Sequence, residues 1–139
     1  MIKHLCAIAS TAALVACWGA PPNEKILNGL CLDVFEGDPD ITALLAAESN
    51  ADTERFCACY AATLMTMPDK IPLHKDAIYE IAQAREGTSL GAEDAAQKVG
   101  DLIEDGVIDT FNADQFDETG KDLQRVMGSM QDNDGICPI

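Results

Sequence analysis

The residues of this chain with the clearest capacity for chemistry are two cysteines, Cys57 and Cys59, separated by one alanine. Such a pair could exchange electrons through a shared disulfide, hold a metal ion, or form two separate structural disulfides. A catalytic redox pair usually lies exposed at a helix start, whereas here Phe56 and Tyr60 flank the cysteines within an apolar stripe. No close pair of histidines and no second close pair of cysteines supports a closed zinc site. The pattern therefore favours structural disulfides, with a thiol–disulfide redox protein as the alternative.

Helix geometry limits the partners that these two cysteines can reach. Residues two apart point about 200° away from each other at about 100° per residue, so Cys57 and Cys59 are poor partners for one another. Each should pair with a distant cysteine, and Cys31 and Cys137 are the candidates. Cys31 and Cys59 both lie on predicted apolar stripes, which favours the pairs Cys31–Cys59 and Cys57–Cys137. The swapped pairing stays open, because connectivity does not follow from sequence.

Histidine-based catalysis has little support in the sequence. His74 follows Pro72 and Leu73 early in a predicted helix, where we expect it to be exposed. A Ser-His-Asp arrangement would need one of three serines that lie outside any nucleophile-elbow context, namely Ser49, Ser89 and Ser129. Phosphate-binding glycine loops are absent from the sequence. We therefore expect neither an enzymatic activity nor a cofactor.

Acidic clusters are the candidates for a calcium site. The segment 132–135, Asp-Asn-Asp-Gly, resembles part of an EF-hand loop, but aligning its glycine puts Met130 at the first ligand position, and the sequence stops before the twelfth. Two further acidic patches are predicted, one formed by Asp33, Glu36, Asp38 and Asp40 and the other by Glu104, Asp105 and Asp109. A solvated acidic face is the favoured interpretation of both, and a calcium-binding module is a further alternative function.

The amino-terminal segment has the three-part layout of an export signal. Residues 1–4 are positively charged, residues 5–16 form an apolar run of small residues, and Leu14-Val15-Ala16-Cys17 closes it. This ending resembles the lipobox of bacterial lipoprotein precursors, where a signal peptidase cuts before a cysteine that becomes acylated. The resemblance covers residues 1–17 alone, and it implies that acyl chains such as palmitate attach to Cys17. The apolar run is shorter than the roughly 20 residues that a membrane-spanning helix needs.

The resemblance to lipoproteins implies both a domain organisation and a location. It divides the chain into a signal peptide at 1–16, a lipidated tether at 17–22 and a helical domain at 23–139. The domain would lie in the bacterial cell envelope, held on a membrane by its lipid and facing the periplasm or the outside. Trp18 occupies the place where an aspartate would favour the inner membrane in enterobacteria, so the outer membrane is slightly preferred. Plain secretion is the alternative.

The cysteine count agrees with this organisation. Of six cysteines, Cys6 would be removed with the signal peptide and Cys17 would carry the lipid. The remaining four form an even number in an exported chain, where disulfides persist. We therefore predict two disulfides among the remaining residues, Cys31, Cys57, Cys59 and Cys137.

The charge balance excludes one class of partner and permits others. The chain has 24 Asp and Glu residues against 9 Lys and Arg, for a formal net charge of −15. Nucleic acid is excluded because phosphate binding needs a basic face. Anionic lipid headgroups repel such a domain, so it should stand off the bilayer surface. This charge permits a basic protein partner or divalent ions, and solubility alone is the favoured interpretation.

Apolar residues recur at helical spacing between Pro-, Gly- and Asn-rich turns, and no alternating run indicates a strand. We predict helix starts near Asn23, Asp52, Ser89 and Asn112, the last as a capping box with Gln115. The predicted fold is all-α, a small bundle of five to six short helices stapled by two disulfides. The predicted function is that of a small envelope lipoprotein with a binding, adaptor, inhibitor or structural role, which presents an acidic helical surface.

Overall fold

The computed structural model describes residues 20–139 and confirms the all-α fold. These residues form six α-helices and no strand: α1 Pro22–Phe35, α2 Pro39–Ser49, α3 Thr53–Met65, α4 Ile71–Arg85, α5 Ala92–Glu104 and α6 Ala113–Gln131, with a 3-10 turn at Pro68–Lys70. The predicted signal peptide at 1–16 and the predicted acylation site, Cys17, lie outside the described residues. No helix in this part of the chain combines the length and the apolar character needed to cross a membrane.

Helix α3 lies at the centre of the bundle. Its buried side chains cover an arc of about 200° rather than a single narrow stripe, and they are Phe56, Cys57, Cys59, Tyr60, Ala61 and Leu64. Helix α1 packs against α3 and α4, while α6 packs mainly against α2. The Phe56 ring lies 6.0 Å from the ring of Phe35 in α1 and 6.4 Å from that of Tyr60, measured between centroids. Two aromatic rings of α3 and one of α1 therefore pack together.

Two disulfides staple the bundle, as predicted, but they join Cys31 to Cys57 and Cys59 to Cys137. The favoured pairing of Cys31 with Cys59 is therefore wrong. Because the buried arc of α3 is wide, both Cys57 and Cys59 are almost fully buried, and an apolar stripe cannot distinguish them. Helix α1 packs on the side of α3 that carries Cys57, whereas the side that carries Cys59 meets the carboxyl-terminal tail.

Two helices that are capped by a side chain next to their first turn begin where the sequence predicts. The Asn112 side chain accepts a hydrogen bond from the backbone N–H of Gln115 at 2.9 Å, and the Gln115 side chain accepts one from the Asn112 backbone N–H at 3.0 Å. The predicted capping box at the start of α6 is therefore confirmed. At the start of α3, the Asp52 carboxylate accepts from the backbone N–H of Arg55 at 2.8 Å.

Two predicted helix starts are wrong. Helix α1 begins at Pro22, so Asn23 is already inside it; proline suits a first position because the N–H that it lacks would be unpaired there. Helix α5 begins after Gly91 and not after Ser89. Its first turn is capped from a distance, because the Asp38 carboxylate accepts from the Ala92 backbone N–H at 2.7 Å.

The carboxyl-terminal tail is held against the end of α2 by Gly135. This residue is buried and has a φ of +76°, and a Cβ atom there would overlap the backbone carbonyl of Asn50. The Gly135 carbonyl accepts a hydrogen bond from the Arg55 guanidinium at 2.7 Å. Both the left-handed backbone and the close approach therefore require glycine, and Cys137 fixes the tail two residues later.

Candidate functional site

A groove with apolar walls opens between α5 and α6 and is closed at one end by α1 and α2. We call it the α5–α6 groove. Its volume of about 370 Å³ lies within the range of roughly 300–1,000 Å³ found for ligand pockets. Its walls contain six apolar side chains that remain half-buried: Phe35, Ile41, Ala96, Ile103, Phe116 and Leu123. The groove is therefore an accessible concavity with mainly apolar walls.

Small residues on both walls create the space. On α5, Ala92, Ala96 and Gly100 follow one another at intervals of four and so share one helix face. On α6, Gly120 lies between the larger groove residues Phe116 and Leu123. A Cβ atom added at Gly100 or at Gly120 would meet no other atom within 4 Å. The groove exists because these positions lack side chains that would fill it.

Asp38 fixes the closed end of the groove. One carboxylate oxygen accepts from the backbone N–H groups of Asp40 and Ile41 in α2, and the other accepts from the Ala92 N–H in α5. The hydrogen bond from Ala92 is the main cause of a lowered Asp38 pKa. Asp38 is only 5 % exposed, so its predicted place in a solvated acidic patch is wrong: its charge is used to join two helix N-termini.

Arg85 supports the same end of the groove from α4. Its guanidinium donates to the backbone carbonyl of Val34, at the end of α1, and to that of Leu90, before α5, the latter at 3.1 Å. The last turn of α1 and the loop leading to α5 are thereby held together by one side chain. With Asp38, Arg85 makes the groove a fixed feature of the fold.

Acidic side chains border the mouth of the groove. Glu93 and Glu104 on α5 and Asp117 on α6 line it and are exposed. Asp117 pairs with Lys121 one turn later, at 2.6 Å, and this pair raises the pKa of Lys121. Neither Glu93 nor Glu104 forms an ion pair with a residue of the described range. The mouth therefore carries negative charge that the surrounding protein leaves uncompensated.

A second feature is a buried polar network that joins α3, α4 and α6. His74 is fully buried, so its predicted exposure is wrong. Its Nδ1 lies 2.5 Å from the Tyr60 hydroxyl, and its Nε2 lies 3.0 Å from a carboxylate oxygen of Asp122. Asp122, 2 % exposed, also accepts from Lys70 Nζ at 2.8 Å and from Arg125. Each of these buried polar groups therefore has a hydrogen-bond partner within the network.

The charges in this network determine its hydrogen-bond directions. Burial favours a higher pKa for Asp122, but the hydrogen bonds from Lys70 and His74 outweigh it, and the pKa of Asp122 is lowered. Burial lowers the pKa of His74 and keeps the imidazole neutral. His74 therefore donates its Nε2–H to the ionised Asp122 and accepts from the Tyr60 hydroxyl at Nδ1. Burial, aided by the charge of Asp122, raises the Tyr60 pKa well above its usual value, so this hydroxyl keeps its proton.

A hydroxyl, an imidazole and a carboxylate that are hydrogen-bonded in this order form the arrangement that activates a nucleophile in hydrolases. The Tyr60 side chain is fully buried, however, and its hydroxyl lies beyond the reach of a substrate in this structure. The network therefore acts as a polar staple between three helices. The spacing of His74 from Ile71 and Ile78, three and four residues away on the buried face of α4, is the sequence signal for this burial.

The network predicts a loss of stability in mild acid. The folded-state pKa of His74 lies below its ordinary value of 6.5, so below about pH 7 the unfolded chain binds a proton that the folded protein does not. The free energy of unfolding should fall as the pH decreases from 7 towards the lowered pKa. Asp38 and Asp122, whose pKa values are also lowered, add a second loss below about pH 4.

Urea denaturation at a series of pH values between 3 and 8 measures this dependence. The His74→Gln variant is the matched control, because glutamine does not titrate. Its curve should be flatter between pH 5 and 7 and should keep the loss below about pH 4. Equal slopes for both proteins between pH 5 and 7 would mean that His74 is not the responsible group.

The structure also locates the other predicted site residues. Cys57 and Cys59 are bonded to distant cysteines and not to each other. No group of three or more His, Cys, Asp or Glu side chains within residues 20–139 is arranged to hold a metal ion. The glycine of the EF-hand-like segment, Gly135, packs on Asn50 instead of turning a ligand loop. The α5–α6 groove was not predicted from the sequence.

Comparisons with protein-family models, with curated proteins and with solved structures found no match to this chain. Within residues 20–139, Tyr60, His74 and Asp122 of the polar network are buried, whereas the α5–α6 groove is open to solvent.

Proposed function

We propose that this protein is a small binding or adaptor lipoprotein of the bacterial envelope, which is tethered through Cys17 and binds its partner in the α5–α6 groove. The observation that carries the proposal is an open apolar groove with an acidic mouth. Exposed apolar concavities rimmed by polar groups are typical of interaction sites. The groove is also rigidly built, since Asp38 and Arg85 hold its closed end.

Three features support the tether and the compartment. The segment 1–16 and the motif ending in Cys17 resemble a lipoprotein precursor. Two disulfides in a domain of this size are typical of an oxidising compartment. An acidic domain, with a net charge of −15 for the chain, is repelled by anionic headgroups. It would therefore stand off the bilayer, with its groove accessible to other proteins.

The alternatives receive less support from the geometry. A thiol–disulfide catalyst needs an accessible pair of cysteines that can bond each other, whereas Cys57 and Cys59 are buried and separately bonded. A calcium module needs several carboxylates that converge on one point. Glu93, Glu104 and Asp117 line the groove mouth, but no group of three or more such side chains within residues 20–139 is arranged to hold a metal ion.

Site-specific photo-crosslinking in cells of the source organism tests the proposal. Ala113→p-benzoylphenylalanine places the photoreactive group at the groove mouth, where Ala113 is exposed. Irradiation should produce one discrete adduct band in the membrane fraction. The matched control is the same substitution at Ala46, which is exposed on α2 and is not a groove residue.

A second readout of the same experiment tests the tether. In the Cys17→Ala background, the folded protein should leave the membrane fraction. Adducts that are equally strong from Ala113 and Ala46, or absent from both, would refute binding in the groove. Persistence in membranes of Cys17→Ala protein from which residues 1–16 have been removed would refute the lipid tether and leave the binding result intact.

A further inference from the structure

We infer that the occupant of the α5–α6 groove is an amphipathic helix of a protein partner, with lysine or arginine residues beside its apolar face. The inference rests on the proposed function and specifies the chemistry of the partner. It is carried by the shape of the groove and by the placement of the unpaired carboxylates at its mouth.

The shape of the groove suits a helix. Its α5 wall extends from Ala92 to Glu104 and its α6 wall from Ala113 to Leu123. At 1.5 Å per residue these walls are about 18 Å and about 15 Å long, or roughly three helical turns. Two helices that line a groove over three turns provide the ridges on which a third helix can pack. The apolar residues of the bound helix would enter the groove at intervals of three and four.

The charges at the mouth favour a partner with positively charged side chains. Glu93 and Glu104 lie at opposite ends of the α5 wall, about 16 Å apart along the helix axis, and form no ion pair within the described residues. Cationic side chains near both ends of a bound helix would meet them. Fatty acids and anionic phospholipids would bring negative charge to the same carboxylates. The mouth therefore disfavours the lipids that could otherwise fill an apolar groove.

The position of the groove also favours a protein over the bilayer. Val34 and Phe35, at the end of α1, line the groove, whereas the proposed tether enters α1 at Pro22. A helix of 14 residues is about 20 Å long. The groove therefore lies one helix length from the point where the tether meets the domain.

Designed peptides can test this inference with the protein produced from the full chain and reconstituted in phosphatidylcholine nanodiscs. The probe is a fluorescent 14-residue helical peptide with leucines along one face and lysines elsewhere. One comparison peptide has glutamate in place of lysine, and another is a scrambled leucine–lysine peptide. Anisotropy titrations, corrected with empty nanodiscs, should show binding of the helical cationic peptide at least about tenfold tighter than of either comparison peptide.

Substitutions at two glycines of α6 test whether the peptide binds in the groove. Gly120 lines the groove and Gly128 does not, and each has open space where a Cβ would be. Replacing a helical glycine improves helix propensity at both positions, so folding should be retained. Gly120→Leu should weaken the binding of the cationic peptide at least about tenfold, because its side chain occupies the groove. Gly128→Leu should leave the binding unchanged.

A matched pair of double variants isolates the charge at the mouth. Glu93→Gln with Glu104→Gln should weaken binding of the cationic peptide about fivefold, as expected for exposed ion pairs. Glu48→Gln with Glu54→Gln changes the net charge by the same amount at exposed positions away from the groove. This second pair of substitutions should have less than about a twofold effect.

The outcomes separate the inference from the function on which it rests. Oleate is titrated in the same way as a lipid probe. If the glutamate peptide or oleate binds more tightly than the cationic peptide and Gly120→Leu abolishes that binding, the partner class is wrong and groove binding stands. If the cationic peptide binds equally to both leucine variants, or none of the peptides binds, the inference is overturned. Failure of the Ala113 crosslink refutes the proposed function by a separate measurement.

Discussion

Removal of the Cys59–Cys137 disulfide, by Cys59→Ala with Cys137→Ala, should lower the free energy of unfolding by about 4.5 kcal/mol. The bond closes a loop with a sequence separation of 78 residues, and the loss follows from the larger conformational freedom of the unfolded chain. The loss of stability should be accompanied by release of the tail from Cys59. The contact between Gly135 and Asn50 is then among the anchors of the tail that remain. Urea denaturation of the oxidised proteins, followed by circular dichroism, measures the difference.

The other disulfide provides the control. Cys31–Cys57 closes a loop with a separation of 26 residues, so Cys31→Ala with Cys57→Ala should lower the unfolding free energy by about 3.5 kcal/mol. The order of the two effects is the test of the chain-entropy explanation. A larger loss for the Cys31–Cys57 pair would show that strain or packing in the folded protein dominates instead.

Asp122→Ala should lower the free energy of unfolding by about 3–5 kcal/mol, because it removes the centre of the buried network. The substitution leaves the His74 Nε2–H without an acceptor inside the core and deprives Lys70 of its buried partner. Thermal and urea denaturation at pH 7 should both report the loss. The Asp122→Asn variant should be affected less, since its amide oxygen can still accept one hydrogen bond.

Glu118 offers a matched control for this prediction. Its carboxylate contacts the same Lys70 nitrogen, at 2.9 Å, but its side chain is 53 % exposed, compared with 2 % for Asp122. Glu118→Ala should therefore change the unfolding free energy by less than about 1 kcal/mol. Similar losses for Glu118→Ala and Asp122→Ala would contradict the view that burial makes the Asp122 network important.

Features that depend on neighbouring residues were predicted well from the sequence. The helical periodicity and the Asn112–Gln115 capping box are local signals, and the structure contains both. The Asp38–Ala92 bond is different, because its partners are separated by 54 residues. Tertiary packing brings that carboxylate to α5 and replaces the local cap expected at Ser89. Local sequence rules could not show that the Asp38 carboxylate, and not Ser89, would cap α5.

The two cysteines of α3 illustrate a second limit. Their opposite orientation was correctly predicted, so two separate disulfides followed. The partner of each depends on which neighbour packs against each side of a helix that is buried over a wide arc, and that choice is made by the whole bundle. The histidine shows the same limit. Its predicted exposure was wrong, although its spacing from Ile71 and Ile78 matches the buried face of α4, and its partners Tyr60 and Asp122 come from two other helices.

The α5–α6 groove could not be predicted for a further reason. It is a space, and the small residues that create it, Gly100 and Gly120 among them, could equally well have allowed the two helices to pack closely. Whether α5 and α6 remain apart depends on the positions of α1, α2 and α4, whose residues also line the groove. The acidic surface was predicted from composition, and the structure adds an apolar groove within it.

The two disulfides also give the domain a covalent shortcut for mechanical load. A pull applied between residue 20 and the tail would pass along residues 20–31, cross to Cys57, continue to Cys59 and cross again to Cys137. Residues 32–56 and 60–136 lie off this route, so they cannot be drawn out while both bonds are intact. Stretching can lengthen only the short route, by at most about 3.5 Å per residue. Most of the bundle is thereby shielded from tension between its two ends.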